Sequence, residues 1–497
     1  MKKVIIVGAG PGGLSAGMIL ASQGMKVKVF EKQPFVGGRT SEMEVGEYRF
    51  DRGPTFLNMP HILEEAFEAA GRNLHDYVTL KEIDPMYELR FDALSFSPSR
   101  DQQKTREQIR EKFPEDVAGY DRFMKQEAKK LDALLPILRN KHDSPTDYFR
   151  WRFLKALPKL SVHDSLYGRL SSYFKDERLR LSFTFQSKYL GMSPWECPGA
   201  FTILSYMEHA YGVHHPIGGV NQVTKAMATV IEEHGGEVIT NAGVKKITTE
   251  NGKAVGVLLE NGEKESADEV IVNADFPYAA SELLEPGLSK KHTPEKLAKK
   301  KYSCSAFMMY LGINRQYDLP HHTIVFSSDY KKNVEEITGT KTLSEDPSIY
   351  IHNPAVTDPT LAPPGKSSVY LLAPVPNNFS EIEWEEKKQD FRSLILKQLE
   401  KRTGFSNIEN HIEEEVIFTP YNWEQDLNIY KGATFSMAHN LPQMMYFRPH
   451  NKMKEVDRLW LVGGGTHPGS GLPTIIESAR ITSAMLIQKH AGEGLKV

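Results

Sequence analysis

The stretch KKVIIVGAGPGGLSAGMILASQGMKVKVFE, Lys2 to Glu31, decides how the rest of the chain is read. Val4 to Val7 is a short β-branched run, long enough for one buried strand. It breaks at Gly8, Gly10 and Gly13, with Pro11 and Gly12 inside the same turn. Leu14 to Gln23 has the length and composition of a helix, and Gly24 stands where a helix stops. Lys26 to Phe30 reads as a second strand, ending on Glu31.

Each part of this unit has a physical job. Gly8 permits the tight turn, Gly10 lets backbone approach a pyrophosphate, and Gly13 lets helix and strand pack closely. The helix N-terminus offers free N–H groups and a positive dipole end to phosphates. Glu31 lies 18 residues past Gly13 and can accept hydrogen bonds from ribose hydroxyls. Spacing, flanking strands and terminal acid together predict a dinucleotide-binding βαβ unit. An acid at this place disfavours a 2′-phosphate, which excludes NADP. No charge occurs between Lys3 and Lys26, so the segment also resembles a signal peptide. Its six glycines and Pro11 argue for a turn instead.

Composition narrows the classes. At 497 residues the chain is long enough for two or three domains. A formal charge of −3 leaves no footprint of nucleic-acid binding. Cys197 and Cys304 are the only cysteines, which excludes a disulfide framework or a cysteine zinc site and suits a reducing cytosol. No apolar run is long enough for a membrane span.

Pattern changes along the chain set its expected organisation. Residues 1–100 form a first part of the nucleotide-binding domain, with a helix over Pro60 to Asn73 and strands within Met86 to Phe96. Residues 101–210 gain helical spacing and form a helical substrate or membrane-contact region. Within it, DYFRWRFLKALPKL, Asp147 to Leu160, mixes aromatics with Arg150, Arg152, Lys155 and Lys159. That mixture suits an interfacial membrane patch, or equally a core helix with a solvated basic side. Residues 211–300 return to the nucleotide fold, with strands at Glu237 to Thr240, Val244 to Ile247, Lys253 to Leu259 and Glu269 to Val272. His214 and His215 precede them; no neighbouring carboxylate pattern marks them as metal ligands, and no metal is expected. Residues 301–450 carry apolar strands at Tyr302 to Gly312, Ser348 to His352 and Ser368 to Leu372, suited to walling an apolar pocket. Residues 451–497 end the nucleotide domain with a strand at Leu459 to Val462 and a helix from about Thr474.

Further motifs carry a resemblance. KQPFVGGRT, Lys32 to Thr40, and FDRGPTFL, Phe50 to Leu57, follow the ribose acid. GGGTHPGSGLPTIIESARITSAMLI, Gly463 to Ile487, stands near the end. Together these resemble the FAD-binding amine oxidase superfamily. GATFSMAHNLPQMMYFRP, Gly432 to Pro449, with T-H-P-G-x-G-x-P after it, resembles bacterial carotenoid desaturases of the phytoene type. KYSCSAFMMYLGI, Lys301 to Ile313, and the stretch Glu345 to Pro376 look most like dehydrosqualene (4,4′-diapophytoene) desaturases.

The resemblance implies an α/β fold: a discontinuous Rossmann-like FAD-binding domain, an inserted mixed α+β substrate domain, and a helical membrane-associated part. It implies that Lys32, Gly37, Gly38 and Arg39 run beside the cofactor, with Gly53 and Pro54 in the following turn. Arg39 suits phosphate oxygens through its fixed fork. Val244 would present backbone to adenine. Gly464, Gly465, Pro473 and Ile475 would bring the C-terminal helix N-terminus to the flavin, where its dipole favours the reduced anion. His467 would lie near the flavin, in a turn or hydrogen-bonding role rather than as an assigned base.

The implied reaction is FAD-dependent introduction of conjugated double bonds into a C30 carotenoid precursor, with oxygen or quinone as electron acceptor. A diapocarotenoid terminal-methyl oxidase, a non-catalytic isoprenoid carrier and a polyamine or amino-acid oxidase remain as alternatives. Releasing a C30 hydrocarbon into water costs on the order of 20 kcal/mol. The resemblance therefore implies a peripheral protein on the cytoplasmic side of the cell membrane, drawing substrate from the bilayer.

Overall fold

In the computed structural model, which describes residues 2–142 and 144–491, Lys3–Val7 is the middle strand of a five-stranded sheet. The order runs Leu459–Leu461, Glu269–Val272, Lys3–Val7, Lys26–Phe30, Glu237–Ile239, and every pair is parallel. Strands from both ends and the middle of the sequence thus share one sheet. Val4 to Val7 are buried on both faces, as parallel strands covered on two sides require.

The period of two divides the core. Val4 and Ile6 join the cluster that includes Leu14, Ile231 and Ile476, from helices Pro11–Ser22, Asn221–Glu233 and Leu472–His490. Ile5 and Val7 join Ile247 and Val257 on the opposite face, from a three-stranded antiparallel sheet over Val244–Glu250, Lys253–Leu259 and Lys264–Ser266.

Helix starts and stops differ from the sequence expectation for identifiable reasons. The glycine helix begins at Pro11, three residues before Leu14, because proline is tolerated at a first helical position. The C-terminal helix begins at Leu472, with Pro473 in its first turn. The helix from Pro60 stops at Ala69, short of Asn73, and Gly71 follows with φ +68°. Asp147 to Leu160 is not one helix. It is a tight turn Pro145–Phe149, a short helix Trp151–Ala156 and a second turn Leu157–Lys159. A reciprocal cap between Ser144 and Asp147 closes the first turn, and Pro158 cannot continue the helix before it.

A second sheet has seven strands, ordered Ile412–Phe418, Ser305–Ile313, Ser367–Val375, Ile349–His352, His322–Val325, Glu88–Phe91, Leu94–Phe96. On one face Phe307, Met309 and Leu311 pack with Phe391, Ile395 and Leu399 of helix Trp384–Arg402. The opposite face carries Ala306, Met308 and Tyr310. Helices Gln102–Lys112, Val117–Leu138 and Ile203–Tyr211 belong to the region that lies before this sheet in sequence. Among the described residues no helix is long and apolar enough to cross a membrane. Cys197 and Cys304 are buried and unpaired with each other.

Candidate functional site

One cavity of about 1040 Å³ is lined both by the N-terminal glycine turn and by apolar side chains of the seven-stranded sheet and the helical region. Its polar lining holds Gly8, Gly10, Pro11, Gly12, Glu31, Lys32, Gly38, Arg39, Gly53, Pro54 and Val244 from the N-terminal half of the chain. Gly464, Gly465, His467, Pro473 and Ile475 join them from the C-terminal end. Gly13 and Gly37 stand behind this wall rather than in it. A Cβ on Gly13 would collide with the Gly8 carbonyl, so this glycine serves helix-on-strand packing. Gly37 has φ +107°, and its N–H donates to the Ala9 carbonyl at 2.8 Å, which ties two turns together.

The glycine turn is held tight by a residue the sequence reading left without a role. Asn273 Nδ2 donates to the Gly8 carbonyl at 3.1 Å. A Cβ on Gly10 or Gly12 would lie 2.8 or 2.6 Å from the Asn273 amide. Glu31 is buried, and its two oxygens accept from Ala9 N–H at 2.7 Å and Gln33 N–H at 2.9 Å. Burial pushes its carboxyl pKa up, against the lowering effect of those donors. Arg39 Nη2 donates to Asp275 Oδ2 at 2.9 Å, while Arg39 Nε is buried without a protein partner. Burial raises the Asp275 carboxyl, and the Arg39 charge offsets part of that. Lys32 Nζ donates to Asn428 Oδ1 at 3.3 Å in an exposed setting.

At the C-terminal side, three side chains from the stretch before the last strand fix the turn after it. Arg448 is fully buried and donates through Nη2 to Gly464 O at 2.6 Å and through Nε to Thr466 O at 3.1 Å. Burial pushes its guanidinium down to about 10. Asn451 Nδ2 donates to His467 O at 3.1 Å. His439 Nε2 accepts from Ser470 N–H at 3.0 Å. His439 and Arg448 lie in a motif singled out by resemblance, yet nothing in their spacing reveals that they grip a turn 16 or more residues on.

His467 is buried, and its Nε2–H donates to Asn140 O at 2.9 Å. Burial lowers its pKa to about 3, so the ring is neutral and its unpartnered Nδ1 carries the lone pair.

The remaining lining is apolar. Met308, Tyr350, Tyr370 and Leu372 come from the sheet, and Leu131 and Leu135 from helix Val117–Leu138. Tyr370 donates its hydroxyl to Gly53 O at 2.8 Å, and the Tyr350 hydroxyl bonds Thr55 Oγ1 at 2.6 Å. Both hydroxyls are thereby satisfied within the protein. Lys188 also lines the cavity; its Nζ sits 4.8 Å from the Tyr330 ring centroid, and burial lowers its pKa to about 8. Leu157, Leu441 and Phe447 line the cavity and are exposed, so they mark its mouth. Tyr148 and Phe153 line it beside them.

These residues fit FAD. Helices Pro11–Ser22 and Leu472–His490 both begin at the cavity wall, and neither N-terminus is capped by a side chain. Their free N–H groups suit a pyrophosphate and a flavin carbonyl edge. The orphaned Arg39 Nε adds a further donor. Fold and cradle together define a flavin-dependent oxidoreductase with a deep apolar chamber.

The chain belongs to the flavin containing amine oxidoreductase family, whose sequence model matches residues 11–487. It is 48% identical over 489 residues to the 4,4'-diapophytoene desaturase (4,4'-diapolycopene-forming) of Methylomonas sp, covering 98% of this chain and 96% of that one. It is 37% identical over 503 residues to the all-trans-zeta-carotene desaturase of Myxococcus xanthus, covering 99% and 94%. Its fold matches the crystal structure of an oxidoreductase from Methanosarcina mazei with a TM-score of 0.61 at 19% identity, over 97% of this chain and all of that one.

Proposed function

We propose that this protein is an FAD-dependent desaturase that introduces conjugated double bonds into a C30 carotenoid precursor of the 4,4′-diapophytoene type. The observation that carries this reading is the continuity of one cavity from the dinucleotide cradle to an apolar mouth. The likeness to a relative named for that substrate, at 48% identity over 98% of the chain, supports the substrate class.

In this reading Gly8, Gly10, Pro11 and Gly12 take the pyrophosphate and Glu31 takes ribose hydroxyls, with Lys32 beside it. Gly38, Arg39, Gly53 and Pro54 run along the ribityl chain and Val244 meets adenine. Gly464, Gly465, Pro473 and Ile475 meet the flavin. Gly13 and Gly37 shape the cradle from behind.

Desaturation removes hydride and proton from neighbouring carbons beside a polyene, and FAD supplies the hydride acceptor when bound. The chain's own work is positioning and exclusion of water. Met308, Leu372 and the Tyr350 and Tyr370 rings present hydrocarbon to hydrocarbon. His467 holds no proton at Nδ1 and is neutral, so it can accept a hydrogen bond but supplies no charge. The proton leaves an allylic cation, which is acidic enough that no strong base is required. A cationic amine substrate would need an acidic pocket or an aromatic cage. The carboxylates lining the cavity are Glu31, Glu260, Asp275, Asp426 and Glu477, and Asp275 and Glu477 already pair with arginines.

The mouth carries the second part of the proposal: peripheral attachment to the cytoplasmic face of a membrane, from which substrate enters. Phe149 and Trp151 are 76% and 75% exposed, and Leu154, Leu441 and Phe447 are exposed with them. Exposed Arg150, Lys155 and Lys159 flank the first group, a composition that suits anionic lipid. The Arg152 side chain lies outside the described residues. Oxygen or a membrane quinone would reoxidise the flavin.

The test is the visible spectrum of purified protein incubated with vesicles carrying 4,4′-diapophytoene, beside vesicles carrying its C40 counterpart. New long-wavelength polyene bands are expected with the C30 substrate. A flavin spectrum with no new polyene would overturn the substrate reading.

A further inference from the structure

His215, His321 and His352 converge from three separate segments, and all are buried. His215 lies on strand Val213–Pro216, His321 just before His322–Val325, and His352 ends Ile349–His352. One ring nitrogen from each lies within 4.8 Å of the others. His321 Nε2 and His352 Nε2 are 3.1 Å apart. Two nitrogens bound at 2.0–2.1 Å in a tetrahedron stand about 3.3 Å apart, so this pair is already at ligand spacing.

The surroundings resemble those of a ligating histidine rather than of a core ring. His215 Nε2 hydrogen-bonds Asp358 Oδ2 at 2.9 Å, and His215 Nδ1 is buried without a protein partner. Asp358 is itself fixed, accepting from Gly218 N–H at 2.6 Å and from Thr360 N–H at 3.0 Å. A carboxylate on one imidazole nitrogen, itself hydrogen-bonded, with the other nitrogen left free, is the usual second layer of a metal site. His321 Nδ1 is likewise unpartnered. The sequence reading saw no carboxylate beside His215, because Asp358 is 143 residues away.

Charge points the same way. Asp358 and Asp51 are both buried, and Asp51 Oδ2 has no partner. Burial holds His321 and His352 neutral. A divalent cation balances two buried carboxylates. None of the three histidines lines the cavity, so the cluster is separate from the flavin site. It touches that site only through His322, whose Nδ1 bonds the Tyr350 hydroxyl at 2.7 Å.

We propose that His215, His321 and His352 bind one divalent transition-metal ion of the zinc class, oriented by Asp358. The ion clasps strand Val213–Pro216 to the seven-stranded sheet and stiffens the wall behind Tyr350. Three imidazoles suit zinc, and water completes a tetrahedron.

The test loads untagged flavin-bound protein with zinc sulfate, desalts it, and measures metal by mass spectrometry against flavin content. Close to one zinc per chain is expected. His321→Ala and His352→Gln should lose at least five-fold of it while keeping flavin. Asp358→Asn, which keeps all three ligands, should weaken retention about 10- to 100-fold. Less than a tenth of an equivalent on the wild type, or equal retention by all variants, overturns the proposal. If the variants do not fold, X-ray absorption of the zinc-loaded wild type decides. Three nitrogen ligands near 2.0 Å are expected, and an oxygen-only or sulfur-containing shell overturns the site.

Discussion

Tyr148 and Tyr446 meet edge to face, ring centroids 6.3 Å apart and planes at 88°. This contact joins the segment carrying Phe149, Trp151 and Leu154 to the segment carrying Leu441 and Phe447. Two stretches about 300 residues apart in sequence thereby form one apolar rim around the cavity mouth.

Vesicle binding should depend on that rim. Phe149, Trp151 and Leu154 are exposed and do not line the cavity, so replacing all three with Ser leaves the chamber intact. Each large apolar side chain contributes roughly 1.5–3 kcal/mol when fully buried. Co-sedimentation with anionic vesicles should weaken by more than ten-fold, with flavin absorbance unchanged. Undiminished sedimentation would remove the rim as the membrane contact.

Flavin retention should depend on Glu31. Glu31→Ala removes the ribose acceptor and also strands the Ala9 and Gln33 N–H groups. Each stranded buried donor costs about 1–3 kcal/mol. Flavin per purified chain should fall by about ten-fold or more. A variant that purifies fully yellow would refute the assignment of Glu31.

The chamber itself can be blocked without touching the cradle. Leu372 lines the cavity and is only partly buried, so Leu372→Trp extends into empty space rather than into the core. Polyene formation should drop by more than ten-fold while flavin content stays at the wild-type level. Full activity would mean that substrate takes another path.

Acid stability should carry the signature of His209. Its ring stacks on Phe183, centroids 4.8 Å apart, and burial lowers its pKa from 6.5 to about 3. The unfolded chain therefore binds a proton at a pH where the native chain does not. Stability from this site is complete above about pH 6.5 and falls as pH drops toward 3, by on the order of a few kcal/mol. His209→Phe keeps the stack and removes the titration. The gap in thermal midpoint between wild type and variant should change between pH 7 and pH 5 in favour of the variant. A constant gap would contradict a buried neutral His209.

Local signals carried the cradle. Strand, glycines, helix and acid sit within Lys2 to Glu31, where neighbours in sequence are neighbours in space, and the strands and helix are found there with shifts of three residues or fewer. The outer wall of the site was less legible. Asn273 beside the glycine turn, Arg448 under Gly464 and Asp358 on His215 are pairings across 16 to 265 residues, and no periodicity encodes them. Asp147 to Leu160 read as a helix because its apolar spacing is helical, but a cap at Ser144 and Pro158 cut it into turns. Those turns present Phe149 and Trp151 outward, which a packed helix would have buried on one face.

The strand Leu459–Leu461 is an edge of the first sheet, and helix Leu472–His490 follows it. During synthesis this edge and the second helix start leave the ribosome last. At roughly 5–20 residues per second, the glycine turn waits on the order of 20–90 s before its opposite wall exists. Throughout that interval the chamber is an open apolar trough in the cytoplasm. Holding of the nascent chain, by a chaperone or by the bilayer itself, is therefore a requirement set by chain order, and cofactor loading is confined to the finished polypeptide.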